Sequence, residues 1–302
     1  MKKPNFLVAG VAKCGTTSLF FYLEQHPEIC IPKKETFYFI ADRYKNPSTK
    51  EEGRRDPSRI IFDSIQYDSL YENCTEKSIG EISTCYAYFH KEAIPRIKEK
   101  LGDPRILIII RQPVERLISG YKHFLRMDRE HLTLQEALNE EKKRAADRWD
   151  FMWQYRGVGF YADAIEAYQK SFSHVKVILQ EDLTNKPDEC LREIFQFIGV
   201  DDSFAPDTSI KYNISDPQSN NKWFKYIFSN KKLKAILKPI TNKLFSVKTK
   251  RKIKHSFRKP NQNEMFKPSA QLQNELLDIY IEDINRTEKL IQRDLSHWKT
   301  KK

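Results

Sequence analysis

The chain has 302 residues, 39% of them hydrophobic and 12% aromatic, enough apolar material for one large α/β domain with its own packed core. Charged residues make up 31% and the mean hydropathy is −0.67, while the longest apolar runs, Phe6–Ala12 and Ile106–Ile110, fall far short of the roughly 20 residues a membrane-spanning helix needs. The net charge of +12 is concentrated in one place: Lys222–Lys259 holds 14 Lys or Arg and no Asp or Glu, and without those 14 the rest of the chain stands at −2.

Met1-Lys2-Lys3-Pro4 leads straight into a strand, with no long apolar run and no small-residue cleavage site, so no secretory signal is read and the expected compartment is the cytoplasm. Phe6–Val11 reads as a buried parallel strand, Gly10–Gly15 as a turn and Thr17–Gln25 as a helix stopped by His26-Pro27. Ile29–Pro32 and Thr36–Ile40 are short extended pieces, Ala41–Pro57 a surface loop and Ile60–Tyr71 a helix. Ser78–Ile82 is the second strand, His90–Leu101 a helix, and Arg105–Ile110 the clearest buried strand. Pro113–Arg126 is a helix with proline in its permitted first turn. Leu132–Arg148 and Tyr161–Phe172 are helical, Val175–Leu179 is a strand, and Pro187–Ile198 is a helix ended by Gly199. After about Asp201 the strand signal fades, and Lys222–Leu244 and Ser269–Arg293 read as helices.

Strands alternating with helices predict an α/β fold of three layers, a central parallel sheet flanked by helices, with a helical C-terminal appendage. Residues 1–302 are read as one domain and 222–259 as a basic helical insertion within it. The five cysteines, Cys14, Cys30, Cys74, Cys85 and Cys190, are odd in number and lack metal or redox spacing, so they are expected to be scattered reduced thiols.

Two segments carry the chemistry. Gly10-Val11-Ala12-Lys13-Cys14-Gly15-Thr16-Thr17-Ser18 keeps the Gly-x4-Gly spacing of a P-loop, whose amides converge on an anion above a helix N-terminus. Thr16 stands where a nucleotidase places its lysine, and the lysine sits earlier, at Lys13. Lys13 thereby lies beside the first phosphate the loop wraps, which suits a bond broken one phosphorus from the nucleoside. The second segment is Ile106–Ile110 running into Arg111, with Ser119 eight residues on: a guanidinium fork and a hydroxyl that converge on one phosphate. An NTPase needs a Mg²⁺-binding carboxylate after a strand, and here the best strand ends in Arg111.

These residues resemble the sulfotransferases that use 3′-phosphoadenosine-5′-phosphosulfate (PAPS). Lys13-Cys14-Gly15-Thr16-Thr17-Ser18 is similar to their 5′-phosphosulfate loop, and the stretch ending in Gln25-His26-Pro27 resembles bacterial and heparan-type members. The resemblance makes Arg111 and Ser119 the 3′-phosphate ligands. It brings Arg258 and Lys259 toward the same phosphate and makes Glu35, in Lys33-Lys34-Glu35-Thr36-Phe37-Tyr38-Phe39, the general base. Lys13 would stabilise the leaving phosphate oxygen, and no metal is required.

The chain departs from the family pattern at three places: Phe37 where many relatives have His, Ile82 within Gly80–Tyr86 where they often have Lys, and Gln180 for Tyr in Gln180-Glu181-Asp182-Leu183. Arg293-Asp294-Leu295-Ser296-His297-Trp298 also resembles the ending of bacterial members. Asp182 is expected either to cap the next helix or to act in the site, and His123, one turn past Ser119, to face either the cleft or solvent. The basic segment mixes Trp223, Phe224 and Tyr226 with lysines. It suits either an element that packs its apolar residues on the domain and leaves its lysines in water, or one that meets an anionic glycan, a glycolipid or the surface of an anionic membrane; in the second case charge reversal at Lys231, Lys232 and Lys234 should weaken acceptor use while sparing PAPS. The implied activity is sulfuryl transfer from PAPS to a hydroxyl or amine of a carbohydrate or glycolipid. The alternatives are a P-loop nucleotide kinase or NTPase, and a basic nucleic-acid-binding protein.

Overall fold

A computed structural model describes residues 2–209 and 266–301. Its centre is a five-stranded sheet, all parallel, in the order β2-β3-β1-β4-β5. The strands are β1 (Phe6–Gly10), β2 (Ile29–Cys30), β3 (Ser78–Ile82), β4 (Arg105–Ile110) and β5 (Val175–Leu179). Every residue of β1 and β3 is buried, as is β4 from Ile106 onward. Uninterrupted burial is what a parallel sheet covered on both faces requires, and it explains why these strands read as apolar runs rather than alternations.

The connections are helical: α1 (Thr16–Leu23), α2 (Ser64–Ser69), α3 (His90–Leu101), α4 (Pro113–Arg126), α5 (Leu134–Asn139), α6 (Glu141–Ala146), α7 (Ala162–Ser171), α8 (Gln180–Asn185) and α9 (Pro187–Ile198). The chain leaves β1 toward β2 on one side, and after β3 it crosses to β4 on the other. The carboxyl ends of β1, β3 and β4 thus flank a switch point, where open α/β sheets place their ligand crevice.

A long helix, α10 (Ala270–Ile291), packs on α7 and α4. Its buried Asp283 accepts from the amides of Tyr161 (2.8 Å) and Ala162 (3.1 Å), capping α7, which has no N-cap side chain of its own. Beyond it, Arg293 pairs with Asp182, and the buried Trp298 donates its indole N–H to Glu181 (3.1 Å). The Trp298 carbonyl accepts from Gln112 (3.2 Å). The segments Gln180–Leu183 and Arg293–Trp298, read separately in the sequence, are therefore partners. Asp182 is an ion-pair partner of the tail, not a helix cap.

Several expectations are corrected. Cys30 and Cys74 form a disulfide that joins β2 to the segment before β3 across 44 residues, so the thiols are not all reduced; Cys14, Cys85 and Cys190 are free and buried. The helix expected over Ile60–Tyr71 begins only at Ser64, because the Asp63 carboxylate caps the Gln66 amide (2.8 Å) and starts the first turn there. Leu132–Arg148 is two helices joined at Glu140. A capping box of Thr133 and Glu136 starts the first, while Glu141 turns inward to take the amide and guanidinium of Arg156 (2.6 and 2.8 Å). Thr36–Ile40 is not extended: the backbone turns at Glu35 and Phe37, with φ of 64° and 58°, and enters a 3₁₀ segment at Tyr38–Tyr44. Ala41–Pro57 is not merely surface, since Arg55 reaches inward to Asp150 (2.6 and 2.9 Å) and lies 4.1 Å over the Phe37 ring. The helix expected over Lys222–Leu244 and the whole basic segment 222–259 lie outside the described residues.

Candidate active site

The loop between β1 and α1 supplies the floor. Gly15, at φ 93°, caps α1 from the left-handed region that glycine enters without steric cost, and a side chain there would press on Gln180 and Ile109. Lys13 holds φ 72° without that freedom. Such strain, on the order of 1 kcal/mol or more, persists where surrounding structure over-determines it, and it clusters at functional sites. β1 and β4 are neighbours, with Val11 donating to the Ile109 carbonyl (2.9 Å), so the loop after β1 sits directly beside Arg111 after β4. Tyr161 ties them together: its hydroxyl donates to the Arg111 carbonyl (2.8 Å) and lies 4.0 Å from the Cys14 sulfur.

Lys13, Gly15, Thr16, Thr17, Ser18, Arg111 and Ser119 line one cleft of about 600 Å³ together with Glu35. Cys14 differs from the other loop residues: its side chain is fully buried below the loop, burial pushes its thiol up to about 11, and only its backbone belongs to the turn. Arg258 and Lys259 lie outside the described residues.

The floor is electropositive. Burial first, and then Arg126, Arg116, Arg111 and Lys34, push the Lys13 ammonium down to about 7. Cations held this close fit a polyanion, whose charge would return Lys13 to its protonated form. Arg111 also bonds Glu115 on the first turn of α4 (3.0 Å), which holds its guanidinium at the strand end. A nucleoside bisphosphate therefore fits the residues present, with one anion at the α1 N-terminus and one at Arg111 and Ser119.

Glu35 stands on the β3 side. Its amide donates to the Ile82 carbonyl (2.7 Å), and its carboxylate takes the Lys34 ammonium (2.8 Å) and both the hydroxyl (3.1 Å) and amide (3.3 Å) of Thr84. Like Lys13, it occupies the left-handed region. Thr84 from Gly80–Tyr86 reaches the cleft, while Ser83 is buried beneath it.

Sequence reasoning missed several of the lining residues. Arg55 comes from a segment read as surface loop, Arg59 from the two residues between that loop and the expected helix, and Met152 from a turn that carries no motif. His123 does face the cleft. Burial and the cations Lys13, Arg126, Arg129 and Arg55 push its imidazole down to about 3, so it is neutral near pH 7. Position one turn past Ser119 was the available signal for His123; no local pattern marks Arg55 or Met152.

The model of the family described as "Sulfotransferase family" matches residues 4–204. The solved structure of a sulfotransferase from Alicyclobacillus acidocaldarius is similar at 30% identity and TM-score 0.75, covering 99% of this chain and 100% of that one. The membrane-associated sulfotransferase kil1 of Dictyostelium discoideum is 34% identical over 121 residues, 40% of this chain and 23% of its own. The heparan sulfate glucosamine 3-O-sulfotransferase 3A1 of Mus musculus is 25% identical over 199 residues, 65% of this chain and 46% of its own. The chain thus spans less than half the length of these two curated relatives. Among the described residues, no helix is long and apolar enough to cross a membrane.

Proposed function

The chain belongs to the sulfotransferase family, and from that premise we propose that it moves the sulfuryl group of PAPS to a hydroxyl or amine of a carbohydrate or glycolipid acceptor. What carries this reading is the sharing of one cleft by Lys13, the Gly15–Ser18 amides, Arg111, Ser119 and Glu35. When bound, PAPS supplies a sulfuryl group whose bond to the 5′-phosphate oxygen breaks as the acceptor oxygen or nitrogen bonds sulfur, releasing 3′-phosphoadenosine-5′-phosphate (PAP).

In this proposal the loop amides at the α1 N-terminus receive the 5′-phosphate, where N–H groups directed out of the first helical turn and the helix dipole both favour an anion. Arg111 and Ser119 hold the 3′-phosphate through a guanidinium fork and a hydroxyl. Lys13 neutralises charge that builds on the departing phosphate oxygen and, already in place, reorganises little as that charge appears. Glu35 accepts the acceptor's proton, its carboxylate oriented by Lys34 and Thr84. His123 offers the acceptor an uncharged ring nitrogen. Lys34, Arg55 and Arg59 line the Glu35 side of the cleft and favour an acceptor that is itself anionic.

The heparan sulfate relative acts on a sulfated glycan, and that likeness supports a carbohydrate acceptor here. Peripheral contact with an anionic membrane is proposed for the basic segment 222–259, in keeping with the membrane-associated name of the Dictyostelium relative. The test is transfer of labelled sulfate from PAPS to a panel of glycans and glycolipids, with thermal shifts run beside it. Stabilisation by PAP without Mg²⁺, and label on a glycan or glycolipid, are the expected results. Stabilisation by Mg·ATP alone would overturn the proposal in favour of an NTPase.

A further inference from the structure

Beneath Glu35 lies a carboxylate that the proposed reaction does not use. Glu81 sits on β3 with no exposed surface. Four hydroxyls donate to it: Tyr67 (2.5 Å) to one oxygen, and Tyr86 (2.5 Å), Ser83 (3.3 Å) and Thr36 to the other. Burial holds its carboxyl above the usual range, against the opposing pull of the hydroxyl bonds. In each of these bonds the hydroxyl is the donor, so all four hydrogens point toward the Glu81 carboxyl oxygens.

The consequence lies on the other side of those hydroxyls. With their hydrogens committed to Glu81, their lone pairs face the backbone. The Ser83 oxygen takes the amides of Thr36 (3.1 Å) and Phe37 (3.3 Å), the Thr36 oxygen that of Tyr38 (3.4 Å), and the Tyr86 oxygen that of Phe39 (3.4 Å). Four consecutive N–H groups, 36 to 39, are thus satisfied by hydroxyls that one carboxylate polarises. This is the turn in which Glu35 and Phe37 hold positive φ. Thr84, which grips the Glu35 carboxylate, is the residue directly after Ser83.

We propose that Glu81 is the positioning residue for Glu35: by orienting Thr36, Ser83 and Tyr86 it fixes the strained turn that aims the Glu35 carboxylate into the cleft. The inference rests on the reading of Glu35 as the base. Glu81→Gln keeps the shape but replaces the carboxylate with a neutral amide, a weaker acceptor for Thr36, Ser83 and Tyr86, and its NH₂ must donate to at least one of the four hydroxyls, so the set no longer points wholly inward.

The experiment measures turnover of labelled PAPS with heparan sulfate as the probe acceptor, PAP affinity by calorimetry, and the crystal structure of Glu81→Gln. Turnover is expected to fall about tenfold to hundredfold, the order that a 1 Å misplacement costs, with PAP affinity unchanged within about twofold, since the phosphate loop is built separately. Thr36→Val, which removes one relay hydroxyl, should give a similar fall, and Thr36→Ser should recover most of it. In a Glu35→Gln background, Glu81→Gln should add almost nothing, because its effect passes through Glu35. An additive loss, an equal loss of PAP affinity, or a Glu81→Gln crystal structure with Glu35 still on Thr84 would overturn the proposal. Absence of transfer by the wild type that still binds PAP would instead count against the catalytic reading, while the crystal structure alone continues to judge the role of Glu81.

Discussion

The two walls of the cleft are built in different ways. The wall proposed to hold the phosphates, the phosphate wall below, is made of local pieces: a nine-residue loop, one strand end and one helix face, each continuous in sequence. The Glu35 wall is assembled from afar, since Thr36 reaches Glu81 and Ser83 across 45 to 47 residues and Arg55 reaches Asp150 across 95. A wall that works through backbone amides tolerates changes in side chains that only pack. A wall that works through one carboxylate depends on every hydroxyl beneath it. The cost of a substitution should therefore depend on which wall it strikes.

Glu35→Gln should break the comparison most sharply. The proposed loss of a general base lowers turnover about 10²–10⁴-fold, while PAP affinity by calorimetry stays within a few-fold; equal losses would mean the walls are not separable. Lys13→Ala acts on the phosphate wall, and both quantities should fall, turnover by about 10²–10³-fold as for removal of a preorganised charge.

Arg111→Ala removes a charged hydrogen-bond donor worth about 1.5–3 kcal/mol, so PAP affinity should weaken roughly 10- to 150-fold, read from the same calorimetry. If the adenosine 3′-phosphate is what Arg111 holds, adenosine 5′-monophosphate should bind wild type and variant alike.

The pH dependence sharpens the comparison further. The Lys13 ammonium loses its proton near pH 7 in the ligand-free protein, and a bound anion raises that value. Binding is therefore linked to proton uptake: the protonation of Lys13 should leave PAP affinity independent of pH below about pH 6, where it is charged with or without ligand, and affinity should weaken by up to about tenfold per unit as pH rises above 7. Calorimetry in buffers of different ionisation enthalpy would show the uptake, and a flat profile from pH 7 to 9 would refute it.

The smallest effect on the cleft should come from the disulfide. Opening the Cys30–Cys74 link by Cys74→Ser releases a 44-residue loop in the unfolded chain, worth about 4 kcal/mol in the chain-entropy model. Thermal unfolding should report that loss, and PAP affinity should remain within about twofold because neither cysteine lines the cleft.

Much of the phosphate wall was legible because its signals are short-range. Apolar runs marked β1, β3, β4 and β5, and Pro113 and Gly199 punctuated their helices where the structure has them. The Glu35 turn was not legible. Thr36-Phe37-Tyr38-Phe39 has the aromatic and β-branched composition of a strand, and the local preference is overridden by three hydroxyls that satisfy its amides, those of Ser83 and Tyr86 after β3 and its own Thr36. Glu141 and Arg156 overrode a continuous helical pattern in the same manner, by an ion pair between segments.

By itself the sequence determined the parallel strands, the glycine turn at the first strand's end, and an arginine at the end of β4, because backbone conformation and strand burial depend on neighbours in the chain. Only the tertiary structure decided which carboxylate is exposed to the cleft and which is buried beneath it, that Arg55 and His123 share the site, and that Cys30 meets Cys74. Those outcomes depend on partners tens of residues away, whose hydrogen bonds and charges offset the conformational strain that local preference would avoid.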